Sequence, residues 1–329
     1  MPFTRSFRLW LVLPTSLFLL LAPVASAVVT IDWVTVGGAG NACDVQAVGC
    51  FGAVATTYRI SKTEVTNGQY VEFLNAKAAS DPNGLYSTSM GPGGSGFGGI
   101  TRSGSPGSYT YAWIAGRRNW PVNYVSFYDS LRFANWLNNG QGSGDTETGT
   151  YTITATGITN NSITRNTGAN VFLTSEDEWY KAAYYDVVTA SYFDYPAGSD
   201  VPPGCTAPGA VANTANCLNV VGNVIGVGRY TGSASPNGTF DQGGNAWEWN
   251  EAVELTVERV QRGGSFLTST DNLAAFLRGG GDPSIGNLSI GFRVASPAPG
   301  LPSVPSLSPP GIAMLCSLLG LASLCRRHA

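Results

Sequence analysis

Histidine is all but missing from this chain. Its single copy, His328, stands one residue from the C-terminus. A Ser-His-Asp triad, a three-histidine iron centre and a zinc-protease motif therefore have no imidazole to build on within the body of the sequence. Charge is scarce too: Asp, Glu, Lys and Arg make up 12% of residues, about half the usual share, and the net charge is −3. With no basic patch, nucleic acid is not an expected partner. Long apolar runs occur only near the two ends, and methionine numbers three.

The ends read as processing segments. Arg5 and Arg8 precede an apolar run over residues 9–21, and Ala25-Ser-Ala27 offers small residues for a signal peptidase, which predicts a signal peptide over 1–27 and an exported chain starting near Val28. Pro14 interrupts the run, which is shorter than the roughly 20 residues of a spanning helix. Six prolines between 296 and 310 predict an extended linker. The apolar stretch 311–324 followed by Arg326-Arg327 resembles a bacterial sorting signal of the PEP-CTERM type, in which a membrane protease removes the tail; Val304-Pro-Ser-Leu-Ser-Pro309 stands where that signal carries its motif. A simple C-terminal anchor with the arginines inside is the alternative. The membrane is an expected partner in both readings and a sorting protease in the first, and the envelope or the extracellular space is the expected location.

Six cysteines become four when Cys316 and Cys325 are set aside with the tail. In an exported chain, Cys43, Cys50, Cys205 and Cys217 read as disulfides, with local pairing 43–50 and 205–217 favoured among three connectivities. A metal site is the competing reading, weakened by the lack of CxxC spacing and of a nearby histidine.

Between the ends, residues 58–64 alternate like a strand, and Thr66-Asn-Gly-Gln69 is a capping-box pattern opening a helix to about residue 79. Residues 81–107 read as a loop. Their glycine-rich run 91–99 lacks the lysine and the strand–loop–helix frame of a phosphate cradle. Ser126 and Asp129 start an amphipathic helix carrying Phe127, Leu131, Ala134 and Leu137 on one face. Residues 151–156 alternate like a strand, expected to pair with 170–173. A further helix over 174–183 has an acidic first turn, which assigns Glu176 and Glu178 to capping and pairing. Residues 196–230 are irregular, and such a long segment needs a pin.

The stretch 239–251, Thr-Phe-Asp-Gln-Gly-Gly-Asn-Ala-Trp-Glu-Trp-Asn-Glu, packs oxygen ligands and tryptophans together. Gly244-Asn-Ala-Trp-Glu-Trp249, Arg262-Gly-Gly-Ser-Phe266 and Gly291-Phe-Arg293 resemble the signature of the formylglycine-generating-enzyme, or sulfatase-modifying-factor, family. Residues 64–70, 121–136 and 174–183 are similar to further blocks of it, so the resemblance runs from about 56 to 295, and a domain over 28–295 is expected.

The resemblance implies an α+β, C-type-lectin-like fold with little regular secondary structure. It also implies structural calcium bound by the side chains of Asp241 and Glu248 and the carbonyls of Gly244 and Ala246, with Asn216 at a second site that lacks its acidic ligand. The alternative for Glu248 is a turn cap or a pair with Arg262 or Arg293. Oxidases of the family hold copper(I) through two cysteines after the Gly-Gly-Ser block, a match of soft ion to soft ligand. Thr268 and Leu273 occupy those positions here, so neither copper nor formylglycine generation is expected. The expected function is a non-catalytic, calcium-stabilised binding or surface module for an extracellular peptide, protein or glycan. An enzyme of altered mechanism acting on an exported protein is the alternative. Thr268, Asp271 and Arg278 are the candidate pocket residues, and Glu64 and Asn67 are structural hydrogen-bonders.

Overall fold

The computed structural model describes Met1, residues 28–94 and residues 96–299. All but Met1 of the expected signal peptide, residues 300–310 of the proline-rich linker and the C-terminal sorting segment lie outside them. Among the described residues no helix is long and apolar enough to cross a membrane.

Two four-stranded sheets and three helices carry the architecture, which is mixed α+β and rich in loops. We number the strands β1 (Trp33–Val36), β2 (Tyr58–Ser61), β3 (Phe172–Leu173), β4 (Trp247–Glu254), β5 (Glu258–Arg262), β6 (Gly279–Gly281), β7 (Ile290–Phe292) and β8 (Val294–Pro297). The helices are α1 (Asn67–Lys77), α2 (Phe127–Asn138) and α3 (Glu176–Tyr184). The first sheet has the order β1-β2-β8-β3 and the second β6-β5-β4-β7. Within the second, β4 runs parallel to β7, with Glu248 opposite Gly291. Strands β7 and β8 are separated by one residue, Arg293, so the chain changes sheet at that side chain.

Each helix begins with a reciprocal capping box: Thr66 with Gln69, Ser126 with Asp129, and Ser175 with Glu178. Each box satisfies two backbone or side-chain donors that the first helical turn leaves open. Helices α1 and α2 meet through aromatic side chains. Phe73 lies edge-on to Phe133 at 5.5 Å, and Phe133 is edge-on to Phe292 of β7 at 5.4 Å. These rings belong to the main core, which also takes in Trp249 and the inner faces of β1, β2 and β8.

One expectation fails. Residues 151–156 form no strand with 170–173. Tyr151 makes a single bridge to Arg165, residues 155–159 form a short helical turn, and β3 pairs with β8 instead. The physical reason is local. Asn135 of α2 accepts from the Tyr151 N–H (2.7 Å) and donates to its carbonyl (3.0 Å), taking the place of a strand partner, while Thr154 caps the helical turn.

Both short-range disulfides, Cys43–Cys50 and Cys205–Cys217, are present, and among the described residues no cysteine is free. The second pins the irregular segment 196–230, where Cys217 is buried against Leu273, Ala215 and Tyr195. Replacing Cys205 and Cys217 by alanine is expected to cost about 3 kcal/mol by the loop-entropy model, read as a lower urea midpoint. A loss under about 1 kcal/mol would mean that the surrounding loop contacts hold the segment unaided.

Candidate functional site

The stretch 239–251 lies at the junction of the two sheets. Glu248 and Arg293 are both fully buried and form a bidentate pair, Nε to Oε2 at 2.5 Å and Nη2 to Oε1 at 2.7 Å. The remaining Arg293 donors reach the carbonyls of Ser61 at the end of β2 (3.0 Å) and Phe240 (2.9 Å). Trp179 of α3 donates its indole N–H to Glu248 Oε2 at 2.6 Å. One ion pair thus joins both sheets, the 240 loop and α3.

Beside it lie two more carboxyl groups. Glu64 is buried and accepts from Asn245 Nδ2 at 2.8 Å, while its other oxygen has no hydrogen-bond partner. Asp241, partly buried, accepts from the Gly228 N–H at 2.6 Å. Burial pushes the Asp241 carboxyl up to about 6, with the Glu248 charge adding to the effect and Gly228 and Arg293 opposing it. Burial likewise pushes Glu64 well above the usual carboxylate range, with Asp241 and Glu248 contributing and Arg293 opposing. Three acids facing one guanidinium leave an excess of buried negative charge, which favours a proton held between Glu64 and Asp241.

The loop is drawn tightly around this cluster. Gly244 has φ of +87°, and a Cβ there would stand 2.4 Å from the Asn216 carbonyl oxygen, so only glycine fits. The Asn216 carbonyl in turn accepts from Asn245 N–H (2.9 Å), and Asn245 Oδ1 accepts from Ile225 N–H (2.9 Å) and Asn216 Nδ2 (3.2 Å).

The expected calcium ligands are therefore near one another, but they do not fit as a set. Glu248 already accepts three strong donors, two at Oε2 and one at Oε1, and its charge is balanced by Arg293, so little of the carboxylate is left for a metal that prefers six to eight oxygens. Among the described residues, no group of three or more His, Cys, Asp or Glu side chains is arranged to hold a metal ion. Asn216 keeps one buried oxygen without a hydrogen-bond partner and donates to Asn223 O (2.9 Å) and Asn245. Where the resemblance implies a cation, the geometry supplies Arg293, the alternative partner that the sequence also offered.

Downstream, the two positions that match the family's redox cysteines are closed to that chemistry. The Thr268 hydroxyl accepts from Ser265 N–H (2.9 Å) and donates to Ser265 O (3.1 Å), closing a turn. Leu273 is fully buried against the Cys205–Cys217 disulfide cluster. The backbone of 217–219 zips onto this turn, Leu218 N–H to Thr268 O at 2.8 Å and Asn219 N–H to Phe266 O at 2.6 Å. Leu218, Val220 and Leu267 are left exposed around it.

Thr268, Asp271 and Arg278 have separate surroundings. Asp271 is exposed in a short 3-10 turn. Arg278 is bound to Glu176, Nε to Oε1 at 2.7 Å and Nη2 to Oε2 at 2.8 Å, and it shares Oε1 with the buried Arg262, whose Nε donates to that oxygen at 2.8 Å. A second ionic network joins Arg165 to Glu178 and Glu251 at 2.7 and 2.8 Å. The pairing assigned to Glu178 has its partner here, and nothing in the sequence singled out Arg165 for it.

Residues 52–298 match the Sulfatase-modifying factor enzyme 1-like domain family, FGE-sulfatase. No curated protein matches the chain. Solved structures of similar fold include CarF, 23% identical, covering 83% of this chain and 100% of its own, with a TM-score of 0.53. Treponema denticola variable protein 1 is 18% identical, with 82% and 95% covered and a TM-score of 0.50. With the sheet junction, the Gly-Gly-Ser turn and the closing Gly-Phe-Arg all in place, this chain belongs to the sulfatase-modifying factor enzyme 1-like domain family.

Proposed function

We propose that this protein is an exported, non-catalytic member of its family, a binding or surface module held at the cell envelope by its C-terminal segment. The observation that carries this reading is the state of the two redox positions. Thr268 has its hydroxyl tied into a turn, and Leu273 is packed on a disulfide. Neither holds a soft metal nor exchanges disulfides, and the four cysteines of the domain are already paired. Leu218, Val220 and Leu267, 55%, 54% and 44% exposed, give the same region an apolar contact surface suited to a peptide, protein or glycan ligand.

The test is direct. Purified residues 28–299, offered copper(I) and a cysteine-containing peptide under oxygen, are expected to take up no stoichiometric copper and to yield no aldehyde by mass spectrometry. Aldehyde formation above a metal-free control would overturn the reading in favour of an oxidase of altered mechanism.

A further inference from the structure

At the far end of the β4–β5 hairpin lies a cleft of about 550 Å³ that is separate from the redox positions. Its walls are Tyr128 of α2, residues 158–161, Thr256 and Val257 of the hairpin tip, and the loop 282–284. The volume falls in the range of small-ligand sites.

One wall is held rigidly from behind. Arg259, nearly fully buried, donates to Asn161 Oδ1 (2.6 Å), Asn161 O (3.0 Å), Ile163 O (2.9 Å) and Glu251 O (2.5 Å), and lies over the Phe127 ring at 4.3 Å. The opposite wall is fixed by Phe127 N–H donating to Pro283 O (3.0 Å) and by Asp282 Oδ1 accepting from Ser284 N–H (2.8 Å) and Oγ (2.6 Å). After these bonds are made, the side-chain amide of Asn160, the hydroxyl of Thr159 and the second oxygen of Asp282, all on exposed residues lining the cleft, carry no hydrogen bond to another described residue and stay open to a ligand entering it.

We propose that this cleft binds a short neutral saccharide. Sugar hydroxyls donate and accept at once, and the unused groups answer both needs: an amide with both capacities, a hydroxyl and a carboxylate oxygen. Ile158, Val257 and Pro283 supply apolar surface for the C–H face of a pyranose ring. Arg259 is committed to carbonyl oxygens, so Asp282 is the one free charge on the lining and an anionic ligand is disfavoured. The site goes beyond the reading given above and stands apart from the outcome of the copper test.

Titrating residues 28–299 with cellotriose, maltotriose, xylotriose and chitotriose by protein-observed NMR tests it. At least one trisaccharide is expected to bind, shifting resonances of residues 158–161 and 282–284. Asn160→Ala and Asp282→Asn, the latter retaining the oxygen that caps Ser284, are each expected to weaken that binding about fivefold with melting unchanged, as loss of one hydrogen bond does. Thr268→Ala is expected to leave it unaltered. No shift with any of the four sugars, shifts confined to the 218–220 and 266–268 region, or binding undiminished in a folded Asn160→Ala/Asp282→Asn double variant would each overturn the proposal.

Discussion

Arg293→Ala is expected to lower the stability of the domain by about 3–5 kcal/mol, because it strands a buried carboxylate. Glu248 would keep only the Trp179 indole as partner, and the carbonyls of Ser61 and Phe240 would each lose a charged donor. Since whole domains are stable by only about 5–15 kcal/mol, the variant should melt on the order of 10 °C lower or fail to accumulate. Glu248→Ala should cost as much, by stranding the guanidinium. The paired variant Glu248→Ala/Arg293→Ala should lose less than the sum of the two single losses, since removing both charges abolishes the desolvation cost as well as the attraction. Additive losses in this double-mutant cycle would sink the ion-pair account. The same samples test calcium: chelation is expected to leave the wild-type melting temperature unchanged, and a chelator effect lost in Glu248→Ala would restore the metal-ligand role to that carboxylate.

The sequence disclosed the elements whose causes are local. All three helix starts were legible, because a capping box needs only four consecutive residues, as in Thr66 to Gln69. The two disulfides were legible because short spacing in an exported chain favours local closure. What stayed hidden depends on partners far away in sequence. Strand β3 pairs with β8 more than a hundred residues on, and nothing in Phe172-Leu173 encodes that choice over a nearer hairpin. The alternation of 151–156 is real, with Tyr151 and Ile153 buried, but Asn135 supplies the backbone partner that a neighbouring strand would have given. The composition of 239–251 was consistent with either a metal or an ion pair. The choice rests on Arg293, fifty residues downstream, standing where the chain passes from one sheet to the other. The cleft beside Asn160 and Asp282 had no signature, because its lining comes from four separate segments of ordinary polar residues.

Glu64→Gln is expected to stabilise the domain at alkaline pH, an unusual result for a substitution at a buried acid. The glutamine oxygen can keep the bond from Asn245 Nδ2, and its new N–H₂ can donate to the Asp241 carboxylate, standing in permanently for the proton that the wild type must hold. The sign follows from the raised values of both groups. A carboxyl whose folded value lies above its unfolded one stabilises the fold fully below the unfolded value, and that contribution is lost as pH rises through the folded value. For Asp241 the loss runs from about pH 4 through about 6, and the raised Glu64 carboxyl contributes with the same sign. Wild-type melting temperature should therefore rise as pH is lowered from 8 to 5.5. The glutamine variant should show a shallower slope and at pH 8 exceed the wild type in melting temperature. Near pH 5 the two should converge. A variant that is instead less stable at pH 8, by an amount that grows with added calcium, would show that a metal ion and not a proton neutralises Glu64 and Asp241.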